Sequence, residues 1–453
     1  MTRITRHILT LPAAERRPAR KVHYRRSGSG PMLLMVHQSP RSSAEYADLM
    51  RQWGEHFTCI APDSPGFGQS EPLAQPDPDI DAFADGLIEF LDALGVKRCP
   101  AYGFHSGGII LVTAVKRHPE RFSRLAIGGY AIWTPEEMRI FGERYLPEFH
   151  PSDYGEHLTW LWNRMLEQSW VFPWFDTREE ARLSVAHADI ARVAQAVSEM
   201  LDAGNAYSAG YGAVLRAPRD IPAPESGAPA CLISAYDGDP LQAHIDRLGT
   251  MPAGWRARKV ATPADHQAVS LAFLQERLEA DETPKLAEDA SEGWLTLDSG
   301  LIHWKGTRGG RLVLHGPAQA MTEPAPGECA IDVPGHGFSD SFADIGAVIT
   351  AAAKALDASE IVWPAPPAGD PAQLYPDMTP DRFGSYLQRA WAATRAEAFF
   401  APWYEASAGH AIPLDPAQLD PQVLTTRALA RIRAGDNARR YHEFLLQHSG
   451  TST

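Results

Sequence analysis

Along the first 125 residues, short wholly apolar runs alternate with longer stretches whose apolar residues recur at helical spacing. "PMLLMVH" and "FTCIAPD" are runs of the first kind, the pattern of strands buried on both faces. "DAFADGLIEFLDALG" is of the second kind and stops at Gly95. "RCPAYG" and "RLAIGGY" read as further strands. This alternation predicts a mostly parallel, doubly wound α/β sheet with helices on both faces. Ligands on such a sheet bind at the carboxyl ends of the strands. Upstream, the period-two patterns in "HILTL" and "KVHYRR" predict a β-hairpin.

The period changes at about residue 131. From there to 222 the pattern is helical and rich in tryptophan (Trp133, Trp160, Trp162, Trp170, Trp174). After the turn-rich "PAPESGAP" the strand signal returns in "ACLISAYDGDP". "RARKVATPADHQAVSLAFLQERL" then predicts a strand, a loop carrying His266, and a closing helix. The expected organisation is a core over 1–130 and 223–286, interrupted by a helical cap over 131–222.

Composition narrows the class. A formal charge of −14 over 453 residues argues against a nucleic-acid partner, since phosphate binding needs a basic surface. Cys59, Cys99, Cys231 and Cys329 form no CxxC pair. They read as reduced and buried, which points to a cytoplasmic protein. No apolar run reaches the roughly 20 residues of a membrane span, and the basic N-terminus lacks the apolar segment of a signal peptide. No membrane partner is therefore expected.

The candidate chemistry centres on "GFHSGG". A strand, a glycine-flanked turn and an apolar helix form the layout of a nucleophile elbow, in which Gly-x-Ser-x-Gly lifts a serine above the sheet. Here Gly103 and Gly107 hold the glycine places, the tip is His105, and Ser106 comes one position late. Around it stand "VHQSP", "APDSPGFGQS", "YDGDP" and "ADHQA". With these five motifs in this order, residues 20 to 285 resemble the α/β-hydrolase fold superfamily with a helical cap. The set also resembles a subgroup with histidine at the elbow tip, G-x-H-[ST]-G. The resemblance implies roles by position. Ser106 supplies one oxyanion-hole amide and Ser39 or Gln38 the other. His266 is the late histidine, and Asp239 or Asp237 its orienting carboxylate, with Asp239 preferred because Asp-Pro-apolar follows the acid in relatives. Glycine is usual where Gln38 stands, which puts the geometry of that hole in question.

Imidazole is a poor stand-in for a serine alkoxide, because an acyl-imidazole is labile, but it shuttles protons well near neutral pH. His105 and His266, one backed by a carboxylate, suit proton abstraction and return beside an oxyanion hole. The expected function is an enzyme without a serine nucleophile, acting on a small apolar or aromatic carbonyl compound by hydrolysis, C–C cleavage or elimination. Trp133 and Trp174 are candidate substrate contacts from the cap. No cofactor is expected; no HxH or HExxH spacing suggests a metal. The competing readings are a serine hydrolase using Ser106 and an inactive ligand-binding protein.

The region 290–453 reads as a truncated pseudo-hydrolase repeat of the first. "GLIHWKGTRGGRLVLHGPAQA" mirrors "RKVHYRRSGSGPMLLMVHQSP", and "AIDVPGHGFSD" mirrors "APDSPGFGQSE" at an offset of 269. "FGSYLQRAWAATRAEAFFAPWY" mirrors the cap stretch "YGEHLTWLWNRMLEQSWVFPWF" at an offset of 229. The core half is expected over 294–370 and cap-like helices over 376–450. The difference removes the elbow, where "WPAPPAGDPAQLYPD" has prolines that cannot continue a strand-turn-helix. The copy keeps the scaffold without the chemistry. Its expected role is to lid the cleft or to support a homodimer.

Overall fold

The computed structural model describes residues 2–14, 17–218, 220–276, 284–286 and 289–448. The chain divides into two compact units, one of residues 1–149, 164–189 and 195–288, the other of residues 150–163, 190–194 and 289–453.

In the first unit the strands are β1 (Ile4–Leu11), β2 (Arg20–Ser27), β3 (Met32–Val36), β4 (Thr58–Pro62), β5 (Cys99–Phe104), β6 (Phe122–Gly128), β7 (Ala230–Tyr236) and β8 (Trp255–Val260). They form one eight-stranded sheet in the order β1-β2-β4-β3-β5-β6-β7-β8. The expected hairpin is β1 against β2, antiparallel, and β2 joins β4 antiparallel; every later pairing is parallel. The apolar runs sit where their composition requires. All five residues of β3 and all five of β4 are buried, as strands covered on both faces must be.

The helices that follow one another along the chain as far as residue 275 are α1 (Ala47–Trp53), α2 (Ile80–Ala93), α3 (Ser106–Arg117), α4 (Pro135–Phe141), α5 (Glu156–Glu167), α6 (Ile190–Ala203), α7 (Ala206–Arg216) and α8 (Pro263–Gln275). Asp79 caps α2 by accepting from the Ala82 amide. Thr262 and Asp265 close a reciprocal capping box on α8, with Pro263 in the first turn. The expected closing helix ran on to Arg277 and Leu278, which lie outside the described residues. Helices α4 to α7 are the cap-like insert. Its apolar cluster in the first unit gathers Phe141, Tyr145 and Leu215 with Trp133, Phe172 and Trp174.

The second unit carries its own sheet, with strands β9 (Glu292–Leu297), β10 (Gly300–Gly306), β11 (Arg311–Leu314), β12 (Glu328–Ile331) and β13 (Ile361–Val362) in the order β13-β11-β12-β10-β9. Its helices are α9 (Ile345–Ala355), α10 (Pro371–Leu374), α11 (Ser385–Ala396), α12 (Pro421–Ala434) and α13 (Asp436–His448). Where the proline-rich stretch follows Val362, the described chain forms only the short α10. Residues 449 and 450, the expected end of the cap-like helices, lie outside the described residues. Residues 150–163, including the first turns of α5, pack within this unit. The Trp162 ring lies against Gly384 and edge-on to Tyr386, and the Trp391 ring lies against Gly155 and edge-on to His157.

Candidate active site

The turn from β5 to α3 puts residue 105 in a conformation that few side chains adopt. His105 has φ 47° and ψ −113°, one of three non-glycine residues with positive φ among the described residues. Such strain persists only where the surroundings enforce it. The glycines beside the tip show what enforces it. A Cβ on Gly107 would stand 2.0 Å from the Val36 carbonyl oxygen, and one on Gly103 would stand 2.8 Å from the Gly107 carbonyl carbon. The end of β3, the end of β5 and the start of α3 therefore approach more closely than side chains allow.

At the tip, the imidazole of His105 lies flat on the Phe104 ring, with centroids 4.1 Å apart. Its Nε2 is 3.1 and 3.2 Å from the two carboxylate oxygens of Asp239. The Asp239 side chain is wholly buried while that of His105 is 23% exposed, so the ring is the face shown to solvent. Burial alone would raise the Asp239 carboxyl. The His105 imidazole and the Leu241 amide outweigh burial and hold it below its ordinary value. An ionised carboxylate only accepts, so His105 Nε2 carries the hydrogen that points to Asp239. No protein partner among the described residues binds Nδ1. Gly129, just past the end of β6, makes room for this pair, while Gly128 makes room for the Phe104 ring beneath it. A Cβ on Gly129 (φ 55°) would lie 2.6 Å from His105 Cδ2, 2.7 Å from Nε2 and 2.9 Å from Asp239 Oδ2.

Two sequence expectations need correction. His266 does not pair with an acid-loop carboxylate. It sits in the first turns of α8, where the Thr262–Asp265 capping box starts the helix, and is buried. Its Nε2 is 2.9 Å from Tyr102 Oη and its Nδ1 is 2.8 Å from Ser234 Oγ. Burial lowers it to about 4, so it is a neutral, fully bonded core group. The orienting carboxylate goes instead to His105. Second, Gln38 offers no amide to a ligand. Its backbone N–H donates to Glu45 Oε1 at 2.8 Å and its Nε2 to Glu45 Oε2 at 2.9 Å. Of the two acid candidates, Asp239 makes the contact; Asp237 is exposed and accepts from Gln242.

Ser39 donates its backbone N–H to Ser106 Oγ at 2.5 Å. Ser106 is the first residue of α3 and is nearly fully buried, and no imidazole hydrogen-bonds it among the described residues. His37 is structural: its Nε2 accepts from the Ser64 amide and its Nδ1 donates to the Gln38 carbonyl. Trp133 packs edge-on against His244, on the turn that follows Asp239. Trp174 donates to the Tyr145 carbonyl and stacks under the Arg164 guanidinium, inside the cap cluster.

Sequence reasoning missed the partners of His266, Tyr102 and Ser234, and the carboxylates Glu45 and Glu199. Glu199, on α6, binds Arg41 and Ser42 and so ties down the loop that carries Ser39. The signal for the His266 error was present: Thr-Pro-Ala-Asp before an apolar run is a helix start, not a loop. The paired glycines of "RLAIGGY" likewise marked the cradle. Among the described residues, no three His, Cys, Asp or Glu side chains converge as metal ligands would. No described helix is long and apolar enough to cross a membrane.

Residues 31–196 match the model of the alpha/beta hydrolase fold family, and the N-terminal part of this chain has that fold. Haloalkane dehalogenase 2 of Mycobacterium tuberculosis is 31% identical over 120 residues, 26% of this chain and 42% of that protein. The 2-hydroxymuconate semialdehyde hydrolase of Pseudomonas sp. is 35% identical over 108 residues, 23% of this chain and 38% of that enzyme. The cis-3-alkyl-4-alkyloxetan-2-one decarboxylase of Shewanella oneidensis is 34% identical over 119 residues, 24% of this chain and 36% of that enzyme. The chain thus matches less than half the length of each of these relatives. A hydrolase structure from Pseudomonas aeruginosa aligns at TM-score 0.45 and 20% identity over 59% of this chain and 98% of its own.

Proposed function

We propose that the N-terminal unit is an enzyme whose general base is His105, oriented by Asp239, acting on a small apolar or aromatic carbonyl compound without a serine nucleophile. The observation that carries this reading is the 3.1 Å contact from the strained elbow histidine to the buried acid. In a Ser-His-Asp site the acid orients a separate histidine, which activates the serine. Here the residue at the serine's place takes the acid for itself. For hydrolysis, Nδ1 takes a proton from water as the water oxygen bonds to the carbonyl carbon. The resulting oxyanion collapses, the C–X bond breaks, and the imidazolium returns its proton to the leaving group. Taking a C–H proton, the same base serves elimination; taking the O–H proton of a β-hydroxy carbonyl compound, it serves C–C cleavage, with the imidazolium returning the proton to the enolate that leaves. The names of the three relatives span dehalogenation, semialdehyde hydrolysis and decarboxylation. That spread supports the scaffold and leaves the bond type open.

Labelling tests this reading without a known substrate. 2-Bromoacetophenone, a small aromatic ketone, is expected to add one alkyl group to wild type, mapped to His105 and absent in His105→Gln. The four thiols compete poorly because all are buried, and burial raises Cys59 to about 12. A fluorophosphonate is expected to leave wild type unlabelled. A fluorophosphonate adduct on Ser106 would establish the serine-hydrolase alternative instead. Inertness to both reagents would favour a ligand-binding protein.

The C-terminal unit we read as a truncated copy of the hydrolase core. Its strands β9 to β13 pair in the same order and with the same directions as β1 to β5. His303 binds Asp332 at 2.8 Å as His23 binds Asp63 at 2.7 Å. His315 accepts from the Val333 amide as His37 accepts from that of Ser64. A supporting rather than catalytic role, including participation in a homodimer, fits a core without an elbow. Light scattering coupled to size exclusion tests the homodimer.

A further inference from the structure

The late serine of the elbow has a use that the hydrolase pattern does not give it. We infer that the Ser106 hydroxyl, polarised by the Ser39 amide, is the second oxyanion donor of this site; the inference rests on the His105 reading above.

The argument is an inventory of donors at the head of α3. The resemblance to the hydrolase pattern implies that the amides of the Gln38–Ser39 loop and of Ser106 face a substrate oxygen. The backbone N–H of Gln38 is held by the Glu45 carboxylate, which also accepts from its side-chain Nε2. The Ser39 N–H is spent on Ser106 Oγ at 2.5 Å. The loop has little freedom to release either. The Arg41 amide closes a turn onto the Gln38 carbonyl, Arg41 and Ser42 bind the buried Glu199, and the Ser43 amide donates to Asp63. A hydroxyl that accepts from an amide keeps its own proton to give. Among the described residues, no acceptor takes the Ser106 proton, although Ser106 is only 4% exposed. A buried hydroxyl proton without a partner is costly, and a ligand oxygen relieves it. Accepting from Ser39 also strengthens the bond that the hydroxyl donates. Ser106 is thereby a poor nucleophile, with its oxygen taken, and a good donor. The relay explains how a loop with Gln38 in place of glycine still serves an oxyanion.

Two alkylating reagents separate this role from that of His105. 2-Bromoacetophenone has a carbonyl oxygen to place in the hole; benzyl bromide has none. Both are applied to the full chain, and the rate of His105 modification is followed by peptide mass analysis. Ser106→Ala is expected to lower the ratio of bromoacetophenone to benzyl bromide rates about tenfold. Ser106→Thr, which keeps a hydroxyl, is expected to hold that ratio within about twofold of wild type. An unchanged ratio in Ser106→Ala overturns the relay. A raised ratio overturns it too, since the hydroxyl would then be a plug that hides the Ser39 amide. Failure of both reagents to modify His105 in wild type overturns the underlying reading and the relay with it. Loss of benzyl bromide reactivity in Ser106→Ala alone assigns Ser106 to holding the ring and also overturns the donor role.

Discussion

His266→Phe distinguishes a catalytic late histidine from a core one. The ring nitrogens pair with Tyr102 Oη and Ser234 Oγ, both buried. Phenylalanine fills similar space and leaves both hydroxyls unpaired, at about 1–3 kcal/mol each. A loss of about 2–5 kcal/mol at pH 7 is expected. The pH dependence gives a second, independent number. Burial lowers His266 from 6.5 to about 4. As pH falls below 6.5 the unfolded chain takes up a proton that the folded one refuses, so stability is lost towards pH 4. At 1.36 kcal/mol per unit, this group removes about 2 kcal/mol of wild-type stability between pH 7 and pH 5. The variant has no such group. The gap in urea unfolding free energy between the two proteins should therefore shrink by about 2 kcal/mol over that range. The other buried histidines are common to both and cancel. A gap that stays constant, or a variant of wild-type stability whose His105 no longer reacts with 2-bromoacetophenone, would refute the reasoning and return His266 to the reaction.

Further outcomes follow from the elbow. Gly129→Ala should cost about 1–2 kcal/mol for a side chain at φ 55° and should also abolish His105 alkylation, because its Cβ falls between the ring and Asp239. Gly204→Ala is the control, with φ 51° and nothing within 4 Å: comparable strain in thermal unfolding, unchanged alkylation. Asp239→Asn removes the anionic acceptor from Nε2 and should slow alkylation at least about tenfold, while Asp237→Asn, measured alongside, should leave it unchanged.

Much of the fold was legible because burial writes itself into composition. β3 and β4 are wholly buried and wholly apolar apart from Thr58, and the parallel sheet follows from that alternation. The elbow was legible for a steric reason, since Gly103 and Gly107 sit where no Cβ fits. What could not be read was which imidazole would take the acid. His105 and His266 both lie within reach of the loop after β7, and sequence order assigns the carboxylate to the late histidine. Chain geometry assigns it otherwise. The capping box pulls His266 into α8, where Tyr102 and Ser234 saturate it, and the positive φ at His105 swings that ring onto Asp239. Neither hydroxyl partner stands near His266 in sequence, so no local pattern announced them.

The second sheet serves as an internal control on which polar groups carry chemistry. On its reading as a truncated copy, it has kept the strand order while having no elbow among its described residues. Polar groups that recur there are doing something a catalytic turn does not require. The His303–Asp332 pair recurs, with the Ser339 hydroxyl accepting from the His303 amide as Ser70 accepts from that of His23. So does the His315 tie between two strand ends. On that reading Asp63, His23 and His37 hold the fold, however strongly burial and charge shift Asp63 and His23. In the lone Asp63 carboxylate, three amide or imidazole donors converge to stitch a loop, a job that Asp332 repeats. Among the described residues of the second unit, His105, Ser106 and Asp239 have no counterpart. The same comparison separates strain from chemistry: Gly66 and Gly68 take positive φ in the first unit as Gly335 and Gly337 do in the second, so that loop's contortion belongs to the scaffold. The second unit has positive φ at the non-glycine residues Ala318 and Asp357, but neither stands at a strand-to-helix elbow. Among the described non-glycine residues of the first unit, the one positive φ is the one that turns a histidine onto a buried acid.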